Sequence, residues 1–141
     1  MGRKERAGPP DEKVTINLGP VDVGRIDLLV EEGFYGSRTD LIRTAVRRLL
    51  EEHKEPLNDA IVRQAYSVGV VQWNRAAFEE LRKKKERVNL RVVGVLRIAH
   101  NVTPDLADQV IESIRVLGHL SAPAAVRKRL EPKMVGREAD A

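Results

Sequence analysis

The sequence predicts an α+β protein in two parts, and three observations carry that expectation. Residues 13–18 alternate strictly between polar and apolar, two stretches of helical apolar spacing follow before Pro56, and three Val/Gly-rich segments recur beyond it, each leading into a helix candidate.

In Lys13-Val14-Thr15-Ile16-Asn17-Leu18 the period of two puts Val14, Ile16 and Leu18 on one face of a strand and Lys13, Thr15 and Asn17 on the other. Gly19-Pro20 ends the strand. Val23, Ile26, Leu29 and Val30 then recur at helical spacing as far as Gly33, a natural residue for the left-handed turn after a helix, so a helix is expected over about 21–32. Gly24 inside it costs about 1 kcal/mol relative to Ala, which blurs where that helix begins. Ser37 followed by Asp40 resembles a capping box. Leu41, Ile42, Ala45, Val46, Leu49 and Leu50 draw one apolar stripe, giving a second helix over about 38–53 that ends before Pro56.

A lone six-residue strand cannot satisfy its own ladder hydrogen bonds, and a strand with two helices is too small to bury a stable core. The strand therefore needs a partner, and the same strand of a second copy serves: a twofold axis pairs residues 13–18 antiparallel to themselves. In the resulting intertwined dimer Val14, Ile16, Leu18, Ile26, Leu41, Ile42, Val46 and Leu49 form the shared core.

Composition bounds the function. Apolar residues make up 42% and charged residues 33% of 141, which is globular usage. The absence of cysteine excludes a disulfide framework and a thiolate metal site, and fits a reducing cytoplasm. The apolar runs are too short to span a bilayer, so no membrane partner is expected. Residues 1–12 hold no apolar stretch fit for a secretion signal and read as a disordered arm. A net charge of +4 is compatible with nucleic acid, but the excess is misplaced for an N-terminal DNA site. Residues 1–55 carry ten Lys or Arg against eleven Asp or Glu, whereas 56–141 carry fifteen against ten. A DNA site near the N-terminus must rest on where individual charges fall.

KVTINL, an amphipathic helix, and then GFYGSRTDLIRTAVRRLLEEH resemble the ribbon-helix-helix repressors of the Arc, MetJ and CopG class, over residues 13–53. The resemblance implies a prokaryotic, cytoplasmic, nucleoid-associated transcriptional regulator, a homodimer or higher oligomer on a pseudo-palindromic operator in double-stranded DNA. It also implies that the two-stranded ribbon enters the major groove with Lys13, Thr15 and Asn17 as base readers. Their chemistry suits that role, since Lys donates to guanine O6 and N7, Asn pairs bidentately with adenine N6 and N7, and Thr offers a hydroxyl and a methyl. A phosphate clamp is implied at the start of the second helix, matching Gly36-Ser37-Arg38-Thr39. The amides of Ser37 and Arg38 would hold the anion, with the Arg38 and Thr39 side chains as auxiliaries, since free N–H groups and the helix dipole both favour negative charge there. Ser37 is at the same time an ordinary helix N-cap.

Beyond a helical linker at 56–66, with its helix at about 57–65, the segments SVGVVQW (67–73), VVGVLRI (92–98) and VLGHLSA (116–122) align. Their glycines, Gly69, Gly94 and Gly118, lie 25 and 24 residues apart. Helix candidates follow at Arg75–Arg87, Pro104–Ile114 and Pro123–Leu130. A strand-helix unit of this size suggests a small repeat domain over 67–131 with parallel strands, for oligomerisation or for a partner or effector. Residues 132–141 read as a disordered tail. The apolar edges of the first and last strands invite self-association, and the first is expected to be covered by the preceding helix or by a second subunit.

The remaining side chains read more plainly. Arg82-Lys83-Lys84-Lys85 with Arg87 is a solvated helix face before it is a contact to DNA backbone, and Trp73 is core packing before it is a stacking platform. His53, His100 and His119 are scattered, so no metal site is expected, unlike the nickel-responsive members of the family. No nucleophile-base pair, phosphate-binding glycine motif or acid-base carboxylate pair is present, so neither enzyme activity nor a cofactor is expected. Two other function classes stay open beside the regulator. One is an antitoxin-type autoregulator with a partner-binding C-terminal region, and the other is a scaffold that polymerises through the repeat.

Overall fold

The computed structural model describes residues 11–136, so most of the expected arm and the end of the expected tail lie outside the described residues. The described residues fall into two compact units, 13–64 and 65–136. The mixture of helices and parallel strands agrees with the α+β class.

The first unit contains α1 (Pro20–Glu31), α2 (Arg38–Glu52) and α3 (Lys54–Arg63). Pro20 opens α1 at its first position, where a missing N–H costs nothing. The helix ends as Gly33 suggested: Gly33 takes φ 84°, its N–H donates to the Val30 carbonyl at 3.1 Å, and the Phe34 N–H donates to that of Leu29 at 3.0 Å. Contrary to expectation, Pro56 does not end a helix but sits in the first turn of α3, where no intrahelical N–H is needed, and the break falls at His53. The residues expected to link two domains thus begin inside α3, which belongs to the first unit.

Residues 11–19 form neither helix nor strand in the single chain, and all are exposed. Among the described residues no strand pairs with the one expected at 13–18, whose ladder bonds have to come from another strand. Val14, Ile16 and Leu18 are 77%, 58% and 43% exposed, and none of the three helices buries a residue. Of the expected dimer core, Ile26, Leu41 and Ile42 are half-buried between the helices, while Val46 and Leu49 face solvent.

The second unit alternates β1 (Ser67–Trp73), α4 (Arg75–Lys83), β2 (Val88–Ile98), α5 (Pro104–Val110), β3 (Ile111–Ser121) and α6 (Ala124–Leu130). The strands are parallel in the order β1-β2-β3, and the register runs Gly69 to Gly94 to Gly118. The helices lie side by side, α5 between α4 and α6, and close one core against one sheet face. Phe78, Val92, Leu96, Val110, Ile114, Val126 and Leu130 are buried in it. Trp73 packs on Phe78 with ring centroids 5.3 Å apart, so it is a core residue as expected. Val68, Val70, Val93, Val95 and Leu117 alternate onto the other face, away from the helices.

Two helix candidates are shortened. α4 stops at Lys83, and its C-terminal turn closes through Lys85 at φ 55° with Glu86 N–H on the Leu81 carbonyl. α5 stops at Val110, and Ile111–Ile114, read as helix, is strand instead. Val110, Ile111 and Ile114 fit either period, and pairing with β2 decides between them, because it aligns Ile114 with Leu90 in the core. The segment read as a tail from 132 is ordered at its start. A 3₁₀ turn over Glu131–Lys133 leads Met134 into a parallel bridge with Ile114, and the Val135 N–H donates to the Ile114 carbonyl at 2.9 Å. Lys133 anchors this strap, donating to the Ile111 carbonyl at 2.7 Å and pairing with Asp108 at 2.9 Å, which holds the Asp108 carboxyl below its ordinary pKa.

Candidate nucleic-acid interface

Lys13, Thr15 and Asn17 sit on the exposed segment leading into α1, and Ser37, Arg38 and Thr39 open α2. The two groups flank α1 within one unit. Two reciprocal contacts shape the start of α2. The Ser37 hydroxyl accepts from the Asp40 N–H at 3.0 Å, and the Asp40 carboxylate accepts from the Gly36 N–H at 3.0 Å. These consume the donors of residues 36 and 40. The first-turn amides of Arg38 and Thr39 have no helical acceptor, since the intrahelical pattern begins with Leu41 N–H on the Ser37 carbonyl. They stand at the positive end of a fifteen-residue helix, a suitable seat for a phosphate oxygen.

The Arg38 side chain is engaged elsewhere. Its Nε and Nη2 donate to the two oxygens of Asp27 on α1, at 2.7 and 2.8 Å, a bidentate fork. The hydrogen bond from Arg38 holds Asp27 below its ordinary carboxyl pKa of 3.8 and raises Arg38 in turn. Two guanidinium donors are thereby spent on fixing α1 against α2, so the backbone carries more of any anion binding than the residue types alone suggested. Asp27 went unnoticed in the sequence because its partner lies eleven residues away across a turn; a carboxylate on α1 facing the capped start of α2 was the available signal.

The pair is exposed, with side chains 46% and 62% accessible, so its effect on stability is modest but should titrate with a definite sign. The folded pKa is depressed, so the stabilisation is complete well above the ordinary value of 3.8 and is lost as pH falls through the folded value. Asp27→Asn should lower the melting temperature of the full chain near neutrality, and the gap from the parent should close on acidification below pH 3.8. A gap of constant size across that range would show that charge is not what the carboxylate supplies.

The basic run lies at the end of α4 and beyond: Arg82 and Lys83 occupy the last turn, where they favour the helix dipole, and Lys84 pairs with Glu80 at 3.3 Å. Among the described residues, no group of three His, Asp or Glu is placed to hold a metal ion, and no helix is long and apolar enough to cross a membrane.

A family model described as the ribbon-helix-helix transcriptional regulator family matches residues 9–127, a span reaching across both units. An uncharacterised protein of Archaeoglobus fulgidus is 36% identical over 58 residues, 41% of this chain and 97% of that protein. No solved structure matches the chain.

Proposed function

We propose, because the chain belongs to the ribbon-helix-helix transcriptional regulator family, that it is a sequence-specific regulator whose residues 13–53 bind DNA as a homodimer. The observation that carries this reading is the incomplete first unit. A segment of alternating polar and apolar residues and an amphipathic helix pair leave Val14, Ile16, Leu18, Val46 and Leu49 in solvent, and no helix of the unit buries a residue. A second copy related by a twofold axis supplies both missing things, ladder partners for residues 13–18 and a lid for the apolar faces. The polar strand face, with Lys13, Thr15 and Asn17, is then left for base edges in the major groove, and the start of α2 for a phosphate.

The antitoxin alternative expects a C-terminal extension that orders on its toxin. Residues from 65 onward instead enclose a core of their own, with Phe78, Leu96 and Ile111 fully buried, which favours the regulator. The test is selection of bound duplexes from a random pool by the full-length protein. An enriched inverted repeat is expected; a pool that gains no motif at physiological salt would sink the reading.

A further inference from the structure

The three glycines that align across the sheet share a conformation. Gly69, Gly94 and Gly118 have φ 111°, 131° and 126°, a region in which side chains are strained. In two of them the reason is visible. A Cβ on Gly94 would stand 2.3 Å from the Gly69 carbonyl oxygen, and one on Gly118 would stand 2.1 Å from that of Gly94. Each glycine thus makes room for a carbonyl of the preceding strand. Gly69 has the same conformation on the edge strand, where a Cβ would meet nothing within 4 Å. Its vacant side faces the edge that no described strand pairs, beside Val68 and Val70, which are 63% and 53% exposed.

The opposite edge offers the matching group. The Ile114 carbonyl points outward from β3, because it accepts from Val135, and alternation along the strand points Val116 and Gly118 the same way. The strap of residues 134–135 covers the edge at Ile114, and the Leu120 carbonyl is held by Arg127. Among the described residues no strand pairs the edge between them, which borders a groove of about 480 Å³ lined by Val116, Gly118, Leu120, Arg127, Met134 and Gly136. On β1 the Trp73 carbonyl bonds toward β2 through Ala99, so Val68, Val70 and Gln72 direct their backbone groups to the open edge. The lengths agree as well. Ser67, the first residue of β1, aligns through Val92 with Val116, two residues past Ile114 where the strap pairs.

We propose that β3 of one copy pairs in parallel with β1 of a second copy, in the register that seats the Gly118 carbonyl over the partner's Gly69. The contact joins unlike edges, so it leaves one β1 edge and one β3 edge free and continues the sheet from copy to copy. It uses only residues beyond 65 and is independent of the DNA reading.

The chain contains no cysteine, which allows a direct test in the full-length protein. Val70 and His119 align through Val95, both exposed, so within one chain they are two strands apart, about 9.6 Å and beyond disulfide reach. Across the proposed contact they are direct neighbours. Val70→Cys and His119→Cys chains, each checked for native circular dichroism, are oxidised separately and mixed. Linked dimers joining position 70 to position 119 are expected in the mixture, at least tenfold above either chain alone. Adding Val68→Pro to the Val70→Cys chain, which puts a ring in place of an outward N–H, should abolish the link. No link in the mixture, or linkage of Val70→Cys to itself as efficient as the mixed product, overturns the proposal; the second result would mean that β1 pairs with β1.

Discussion

Gly118→Ala should unfold the C-terminal unit, whereas Gly69→Ala should leave it folded. The two positions have nearly the same φ, so the strain of an L side chain, about 1–3 kcal/mol, is common to both. They differ in what the new methyl meets. At Gly118 it falls 2.1 Å from the Gly94 carbonyl oxygen, which is backbone and has no rotamer to turn away, so β3 has to leave β2. That separation opens the core where Val92 and Ile114 are buried. We expect a total cost above about 4 kcal/mol, a large share of the 5–15 kcal/mol that a domain holds in all. Gly94→Ala should behave like Gly118→Ala, since its clash with the Gly69 carbonyl is of the same kind. Trp73, the only tryptophan in the sequence, packs on Phe78 in this unit, so urea titration followed by its fluorescence reports the loss directly. Equal destabilisation at positions 69 and 118 would contradict the carbonyl clash as the cause.

The second large effect concerns DNA. Replacing Lys13, Thr15 and Asn17 together by Ala should reduce binding of the selected operator to the level of a scrambled duplex. Each lost base contact costs about 1–3 kcal/mol, and twofold symmetry counts every loss twice per dimer. All three residues are exposed, so the variant should keep its assembly state, and its remaining affinity should be that of phosphate contacts, steeply dependent on salt. The check is affinity for operator and scrambled duplex at one fixed salt concentration. Retained preference for the operator in a folded variant would remove the ribbon from the role of reader.

The sequence disclosed the elements whose signals are local. The helix end at Gly33 and the cap at Ser37 depend on residue types a few positions apart, the aligned glycines on a short motif that recurs after 25 and 24 residues, and all three are found. Features that depend on distant partners were hidden. Arg38 looked free for phosphate until α1 brought Asp27 to it. Ile111–Ile114 continued a helical pattern until pairing with β2 made it strand. The strap at Met134 rests on one bridge and one hydrogen bond, too small a feature to leave a pattern. Residues 13–18 show the reverse case, a clear strand pattern that the single chain does not realise.

The order of strands across the sheet is the order of strands along the chain, and this has a kinetic meaning. Paired residues such as Ser67 and Val92, or Gly94 and Gly118, are one unit apart in sequence, and the helices also meet as neighbours in sequence. Parallel sheets usually fold slowly because they join remote segments, but no contact in this sheet has to close a loop longer than one unit. Folding can therefore advance from β1 toward β3 like a zipper, each step resting on the one before. At a synthesis rate of about 5–20 residues per second, a unit of this length takes on the order of seconds to leave the ribosome, far longer than local docking needs. Each strand can be seated while the next is still being made, so the nascent chain is never left waiting for a distant C-terminal partner before its core begins to close.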